Sequence, residues 1–304
     1  MYNILAFGGQ YPVAILMEKV RDTKKLLIFS CFLNVAALAL FLSGPSIAII
    51  LAGIASAIYH VAGGSYCAKN NSATNIGLFA APGIAGLIAG GYLAWKQFDI
   101  IPVLLLVAGI FLLGLVKMHF SGPPAQKNID ETKKEKHAVD RHDLVMILLL
   151  LIISLRSVTW NIFQLIHENN FEWLTAIAVA AVIGKIVGGW LADRIGWRLY
   201  ALVSASTAVP LLTLFKKELV LFCIGIGLLQ SGIPATTSLL IHTLKGKTSK
   251  AIALSFGTAI IIGSAASVFP ASVLARETPY LLITPIILLV LCSLWYKRIV
   301  SHPS

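Results

Sequence analysis

The chain has 304 residues, of which 58% are hydrophobic and 12% are charged, and its formal net charge is +11. A soluble domain carries about 25% charged residues, so this composition excludes a soluble globular protein and predicts an integral membrane protein with many spans. The Lys and Arg residues lie mainly in short loops between apolar segments, which argues against nucleic acid as a partner. The four cysteines lie in or beside apolar segments, which argues against a disulfide framework.

Apolar segments recur along the whole chain, and each is close to the ~20 residues that a membrane-spanning helix needs. Residues 2–18 lack a basic region at their start, so we expect an uncleaved helix there rather than a signal peptide. The predicted fold class is all-α, with about eleven transmembrane helices. We predict them at residues 2–18, 26–43, 46–66, 75–94, 99–119, 144–165, 173–192, 199–215, 219–242, 251–274 and 280–296.

A polar segment at residues 121–143 interrupts this apolar pattern. It holds five Lys or Arg and five Asp or Glu, the composition of a solvated linker. The linker divides the chain into an N-terminal bundle of five helices at residues 1–120 and a C-terminal bundle of six helices at residues 144–304.

Lys and Arg are distributed unevenly between the two sides of the predicted membrane protein. The side of the linker and the C-terminus holds 18 of the 24, the other side holds four, and two lie inside helices. Positive charge collects in cytoplasmic loops, so we predict a multi-pass protein of the inner or plasma membrane with a cytoplasmic C-terminus. With eleven spans, Met1 lies outside.

A run of glycine and charge joins two predicted spans at residues 189–198, Gly-Trp-Leu-Ala-Asp-Arg-Ile-Gly-Trp-Arg. The glycines allow close helix approach and a tight turn. Asp193 and Arg194 are costly in lipid, so we expect them at the interface, paired with each other or with a neighbouring helix end. A less complete copy, with Glu18 in the place of Asp193, occurs 175 residues earlier. This internal similarity predicts two related halves.

The pattern G-x-L-x-D-R-x-G-x-R at 189–198 resembles the signature loop of the major facilitator superfamily of secondary transporters. The resemblance implies two helix bundles with a midplane site for a small-molecule substrate, driven by a proton or another coupling ion, in a monomer embedded in the lipid bilayer. In the family the first signature loop follows the second helix, whereas here it follows the first. The chain therefore looks like a member without its first helix, and a late start codon, a fragment and a genuine variant all stay open.

Two further stretches resemble exporters. Residues 77–91 are similar to the glycine-rich fifth-helix motif of exporters in this superfamily, which implies close helix packing at Pro82, Gly83, Gly86 and Gly90. Residues 55–64, together with residues 155–157, resemble the fosmidomycin-resistance branch of efflux proteins. These resemblances imply a proton-coupled efflux antiporter. The alternatives are a non-transporting membrane protein of the same fold, such as a receptor or assembly partner, and an incomplete transporter.

By resemblance, the 189–198 loop latches one half against the other and gates access. Asp193 would then face the N-terminal end of the helix that starts near Asn75. A carboxylate there contributes about 0.3–1 kcal/mol when exposed and up to ~2 kcal/mol when partly buried. Plain anchoring of the membrane topology is the alternative role. The candidate gating residues are Gly189, Asp193, Arg194, Gly196 and Arg198 in the second half, and Glu18 and Lys19 in the first.

Arg156 is a charge in the middle of a predicted span. Trp160 and Gln164 follow at helical spacing on the same face, with Asn161 beside them. A charge at that depth normally faces a cavity and marks a substrate or ion path. We therefore predict that this face lines the cavity and that Arg156 binds an anionic substrate group. A structural ion pair between helices is the alternative.

His60, next to Tyr59, also lies inside a predicted span and titrates near neutral pH, so it is a candidate proton relay. A core histidine with its hydrogen bonds satisfied is the alternative. Lys185 is predicted to extend toward the cytoplasmic interface. The remaining candidates are uncharged polar residues that either line the path or hydrogen-bond between helices: Gln10, Asn34 and Gln230.

No nucleotide-binding loop, zinc-ligand spacing, haem motif or nucleophile elbow occurs in the sequence. We therefore expect no enzyme activity, no cofactor and no metal.

Overall fold

The computed structural model describes residues 1–20, 22–70, 72–117, 141–167, 170–244, 247–264 and 271–300. Within these ranges the secondary structure is helical, without a strand. A π-helical turn at Ile4–Gly8 precedes α1, and a second at Leu254–Thr258 joins α10 to α11. The α-helices are α1 Gln10–Val20, α2 Thr23–Leu40, α3 Pro45–Cys67, α4 Ala73–Trp95, α5 Ile100–Lys117, α6 Arg141–Ile166, α7 Phe171–Ile195, α8 Trp197–Leu214, α9 Leu219–Thr243, α10 Thr248–Ala253, α11 Ala259–Ser264 and α12 Ala271–Val300.

The all-α membrane fold agrees with the prediction from the sequence. Among the described residues, seven helices are long and apolar enough to cross a bilayer: α2 to α7 and α9. One predicted boundary is wrong, because α12 continues through residues 275–279, where we expected a connection. Pro279 lies inside this helix, as membrane helices allow. Most of the predicted linker at 121–143, namely residues 121–140, lies outside the described residues, and α6 already begins at Arg141.

The second block, residues 141–300, packs around α9. This helix lies against α7 on one side and α8 on the other, while α6 packs on α11 and α12. The contact of α7 with α9 depends on small residues. A Cβ added to Gly184 would lie 2.8 Å from the Cα of Gly227, and one added to Gly188 would lie 2.5 Å from the Cα of Ser231. The two backbones therefore approach as closely as glycine permits.

In the first block, residues 1–117, α3 packs between α1 and α2, and α5 packs on α2 with most of its surface exposed. Helix α4 packs mainly on α7 of the second block. Its other face carries Gly83, Gly86 and Gly90, and no described atom lies within 4 Å of a Cβ placed on any of them. The close packing predicted for these glycines is therefore not found in the described part of the chain, because α4 packs on α7 through the face that carries Gly77.

The two blocks meet mainly where α4 packs on α7, and also where α4 packs on α9 and where α1 and α3 pack on α10. We call the side of the membrane that carries residues 19–25, 193–198 and 247–250 the basic side, and the other the opposite side. Asp193 and Glu18 lie at the basic-side ends of α7 and α1.

Candidate functional site

Asp193, in the last turn of α7, binds the N-terminus of α4 in the other block. Its carboxylate accepts hydrogen bonds from the backbone N–H groups of Ala73 and Thr74, both at 2.9 Å. The hydroxyls of Ser72 and Thr74 donate to it at 2.7 Å, and the indole Nε1 of Trp197 donates at 2.8 Å. An anion at a helix N-terminus satisfies N–H groups that have no partner within the helix. The structure thus places Asp193 at the helix end that the resemblance implied.

Two glycines of the same loop make this contact possible. A Cβ on Gly189 would lie only 2.9 Å from the carbonyl carbon of Ala73 and 3.0 Å from the Cα of Thr74, so α7 could not approach α4 as closely. Gly196 ends α7 with φ 99° and ψ 129°, a backbone conformation open to glycine and strained for other residues. The first glycine therefore sets the helix contact, and the second sets the turn into α8.

Among the described residues, Arg194 makes no salt bridge with Asp193. The guanidinium carbon of Arg194 lies 3.8 Å from the centre of the Trp190 ring, a cation–π contact within α7. Of the two pairings expected for Asp193, the neighbouring helix end is correct and Arg194 is wrong. Arg198 lies in the first turn of α8. Lys19, in the last turn of α1, is exposed.

Glu18 makes a second contact between the blocks on the basic side. Its carboxylate lies 3.0 Å from the Nζ of Lys250, in the first turns of α10. The first residues of α4 and α10, Ala73 and Thr248, are separated by 175 residues, the same offset as Glu18 and Asp193. Each block therefore directs one acidic side chain toward the beginning of a helix in the other block. We call these two contacts the latches.

A group of rings lies between the blocks, deeper in the membrane than the latches. His60 of α3 lies 5.6 Å from Tyr59, 6.3 Å from Phe79 of α4 and 6.3 Å from Phe7, measured between ring centres. Phe79 in turn lies 6.3 Å from Phe256 in the π-helical turn of the second block. The rings of both blocks therefore meet in one ring cluster: Phe7, Tyr59, His60, Phe79 and Phe256.

Polar groups border the ring cluster. The Nδ1 of His60 donates to the backbone carbonyl of Ser56 at 2.8 Å, which leaves Nε2 on the other side of the ring. Gln10 is fully buried, and its amide nitrogen donates to the carbonyls of Ala6 at 3.1 Å and of Phe256 at 3.3 Å. Gln10 thereby bridges the two blocks, while its Oε1 has no hydrogen-bond partner among the described residues.

Lys185 of α7 lies near His60 across the boundary between the blocks, where the two side chains repel each other if both are protonated. Its backbone carbonyl packs against Gly77 of α4, so this turn of α7 lies directly on the first block. The expectation that Lys185 extends to the cytoplasmic interface is therefore wrong. The sequence showed its depth in the membrane but could not show which helix it faces.

A cavity of about 560 Å³ opens between α3 and α4. Tyr59 and Phe79 of the ring cluster line it, as do Pro82 and, toward the basic side, Lys69. The cavity therefore connects the ring cluster with the basic end of the first block.

Arg156 lies buried inside the second block and does not line the cavity between α3 and α4. The side chain is 1% exposed, and its Nη2 donates to the carbonyl of Ala201 in α8 at 3.3 Å. A Cβ on Gly232 of α9 would lie 2.6 Å from Nη1, so the guanidinium is enclosed by α6, α8 and α9. Neither the predicted cavity position nor the alternative ion pair is found among the described residues. Helical spacing gave the face of α6 but not the helices that cover it.

The other candidates for the path are spread over both blocks. Trp160 packs in the apolar core with Phe163 and Phe222, and Gln230 is buried on α9. Asn161 and Gln164 are half-buried on α6. Asn34 donates to the carbonyl of Ser30 in its own helix at 3.1 Å. Only Gln10, Tyr59 and His60 of the predicted path residues therefore belong to the region between the blocks.

Three residues of this region were not predicted from the sequence: Phe79, Phe256 and Lys250. Phe79 lies within the glycine-rich stretch at 77–91, which was the available indication. The 175-residue offset, applied to the helix starts, would have drawn attention to residues 248–250. For Phe256 we find no indication in the sequence alone.

Comparison with known proteins gives the same architecture. The chain is similar to the E. coli fucose:proton symporter, with 15% identity over 98% of this chain and 90% of that one, and a TM-score of 0.69. It is also similar to a bacterial homologue of the iron transporter ferroportin in an outward-facing state, with 14% identity, coverage of 99% and 90%, and a TM-score of 0.56. The human organic anion transporter MFSD10 matches with 12% identity, coverage of 95% and 82%, and a TM-score of 0.60.

No curated protein sequence matches the chain. The family model of the Major Facilitator Superfamily matches residues 1–270, which is most of its length. The chain is therefore a multi-pass membrane transport protein rather than an enzyme, and it belongs to the major facilitator superfamily.

Proposed function

We propose that this protein is a secondary active transporter that moves a small molecule across the cytoplasmic membrane by alternating access. The two moving bodies are the bundles at residues 1–120 and 144–304, acting as one monomer with a cytoplasmic C-terminus. The observation that carries the proposal is the pair of latches, Asp193 with the start of α4 and Glu18 with Lys250. Both join helix ends of different blocks, so they can break without unfolding either bundle.

The seam between α4 and α7 also has a contact on the opposite side. There the ring of Trp95 stacks on Phe171, with 5.5 Å between ring centres, and the Nζ of Lys96 lies 4.4 Å from the centre of the Trp95 ring. In the proposed cycle the latches and this stack open in alternation, so that the ring cluster is accessible from one side at a time.

Proton-coupled efflux is the proposed mode of transport. Efflux is supported by the similarity of residues 77–91 to the helix motif of exporters. Proton coupling is supported by His60, an ionisable side chain in the ring cluster between the blocks. The similar E. coli protein is a fucose:proton symporter. Antiport and symport differ in the direction of the proton gradient that drives them, so they are separable by experiment.

The test is flux in proteoliposomes that contain the purified full chain. A panel of small organic anions, cations and sugars is offered outside, with the lumen acidic, neutral or alkaline relative to the bath. Proton antiport predicts that an acidic lumen accelerates entry of at least one compound and that Asp193→Asn slows it. Acceleration by an acidic bath contradicts antiport, and a rate independent of the gradient contradicts proton coupling. If no compound enters faster than into empty vesicles, the transport proposal is wrong.

A non-transporting or incomplete member of the family is the second candidate. The observation in its favour is the face of α4 with Gly83, Gly86 and Gly90, against which no described atom lies within 4 Å. A bundle with an open wall predicts compound binding without flux, or proteoliposomes that leak small ions. Sealed vesicles with gradient-driven flux exclude this candidate.

A further inference from the structure

Lys185 is a cation within a membrane span that has no hydrogen bond or salt bridge in the part of the chain that the structure describes. It precedes Asp193 by eight residues, which places it about 12 Å deeper along α7 at 1.5 Å per residue. A charge at such depth is costly in lipid and normally serves a substrate or ion path. Within α1 to α11, every Asp and Glu lies in the first or last turn of a helix. Within α1 to α11 Lys185 is therefore offered no carboxylate at its depth.

The position of Lys185 is that of a substrate-facing residue. Residues 185, 189 and 193 follow at intervals of four along the face of α7 that packs on α4. At one end of this face Asp193 binds the start of α4, and at the other the carbonyl of Lys185 packs on Gly77. The side chain lies near His60 of α3, which is a like charge when protonated. The ammonium therefore projects into the boundary between the blocks, beside the ring cluster.

Helices α3 and α4 present flat apolar surfaces in the ring cluster. The rings of Tyr59 and Phe79 are 5.7 Å apart and inclined by 32°, and both line the cavity of about 560 Å³. That volume falls in the range of about 300–1,000 Å³ typical of small-molecule sites. Lys69 lines the same cavity nearer the basic side and adds positive potential along it.

We propose that the site between the blocks binds a small organic anion, with its charged group at Lys185 and a flat apolar body against Tyr59 and Phe79. This inference rests on the proposed transport function, because it names the class of substrate that the transporter carries. An anion supplies the counter-charge that the spans lack, and the rings supply the apolar contact. A cationic ligand would be repelled by the positive charge of Lys185.

The experiment measures binding, separately from transport, on the purified full chain in nanodiscs. Benzoate, benzamide and benzylamine share one ring and differ in charge, so their dissociation constants from thermal-shift titration compare anion, neutral molecule and cation. We expect benzoate to bind at least tenfold more tightly than either of the others. Lys185→Met should weaken benzoate at least tenfold, and Lys185→Arg should retain it. Lys217→Met, which removes an exposed cation in the turn between α8 and α9 on the opposite side, serves as the matched control and should leave benzoate binding unchanged.

Each outcome decides the inference. Equal or tighter binding of benzamide or benzylamine, no benzoate binding to the wild type, or unchanged benzoate binding in Lys185→Met overturns it. Since removal of an unpaired charge from the membrane should not unfold the helix, elution of Lys185→Met as a single folded species validates the comparison. Benzoate binding without flux in proteoliposomes would count against the transport proposal alone. Flux of a cation or sugar without benzoate binding would count against the anion inference alone.

Discussion

Replacement of Asp193 by Asn should open the basic side of the protein. The carboxylate receives five hydrogen bonds, four of them from the first turn of α4 or its cap. An amide in its place would direct an NH₂ group at donors. Charge-assisted hydrogen bonds contribute about 1.5–3 kcal/mol each in sheltered sites. Asp193 is exposed, so the smaller value for an anion at a helix N-terminus is appropriate, about 1–2 kcal/mol for the whole contact.

A change of that size shifts the ratio of closed to open states about 5–30-fold. Electron–electron distances between spin labels at Val20 and Leu199, exposed positions in different blocks on the basic side, would measure it in a cysteine-free background. We expect a longer distance to gain population in Asp193→Asn. Asp99→Asn is the matched control. Asp99 also accepts a hydrogen bond at a helix N-terminus, from the N–H of Ile101 in α5 at 3.1 Å, but this bond lies within the first block. An unchanged distribution in Asp193→Asn would refute the reasoning.

Three further predictions concern the same loops. Gly189→Ala should raise the open population as Asp193→Asn does, because the added Cβ meets the backbone of Ala73. Gly86→Ala should leave it unchanged, because no described atom lies within 4 Å of the added Cβ. The same spin-label distances measure both variants. Glu18→Gln and Lys250→Gln should each weaken closure modestly, by about 0.2–1 kcal/mol as for exposed pairs, and the double variant should add little, which a double-mutant cycle on the closed fraction measures. Gly196→Ala should lower the free energy of unfolding by about 1–3 kcal/mol, since φ 99° strains any residue with a side chain. Thermal unfolding measures this change, and an unchanged midpoint would show that the turn relaxes without strain.

The sequence predicted best what depends on local pattern. The helical segments follow from runs of apolar residues, and the placement of Asp193 follows from a compact motif whose glycines and charges lie within ten residues. Arg156 and the glycines at 83–90 were interpreted less well, because their surroundings depend on distant helices. Helical spacing placed Arg156 on a definite face of α6, but only packing shows that α8 and α9 enclose that face. Likewise, a glycine-rich face indicates close packing only where another helix is present to meet it.

The surroundings of Lys185 also depend on a distant helix. Its sequence position was compatible with an extended side chain at the membrane interface, and only the contact of α7 with α4 directs it toward His60. The internal similarity at 175 residues carried more information than the individual residues did. It relates the two acidic residues and also the helix starts that they approach.

Alternating access is the central claim, and paired distances on both sides of the membrane test it most directly. Spin labels at Val20 and Leu199 report the basic side, and labels at Leu42 and Val220, both exposed, report the opposite side. Alternating access predicts that Asp193→Asn lengthens the first distance and shortens the second in the same molecules reconstituted in nanodiscs. If the basic side opens while the opposite-side distance stays unchanged, or if neither distance responds, the two blocks do not alternate.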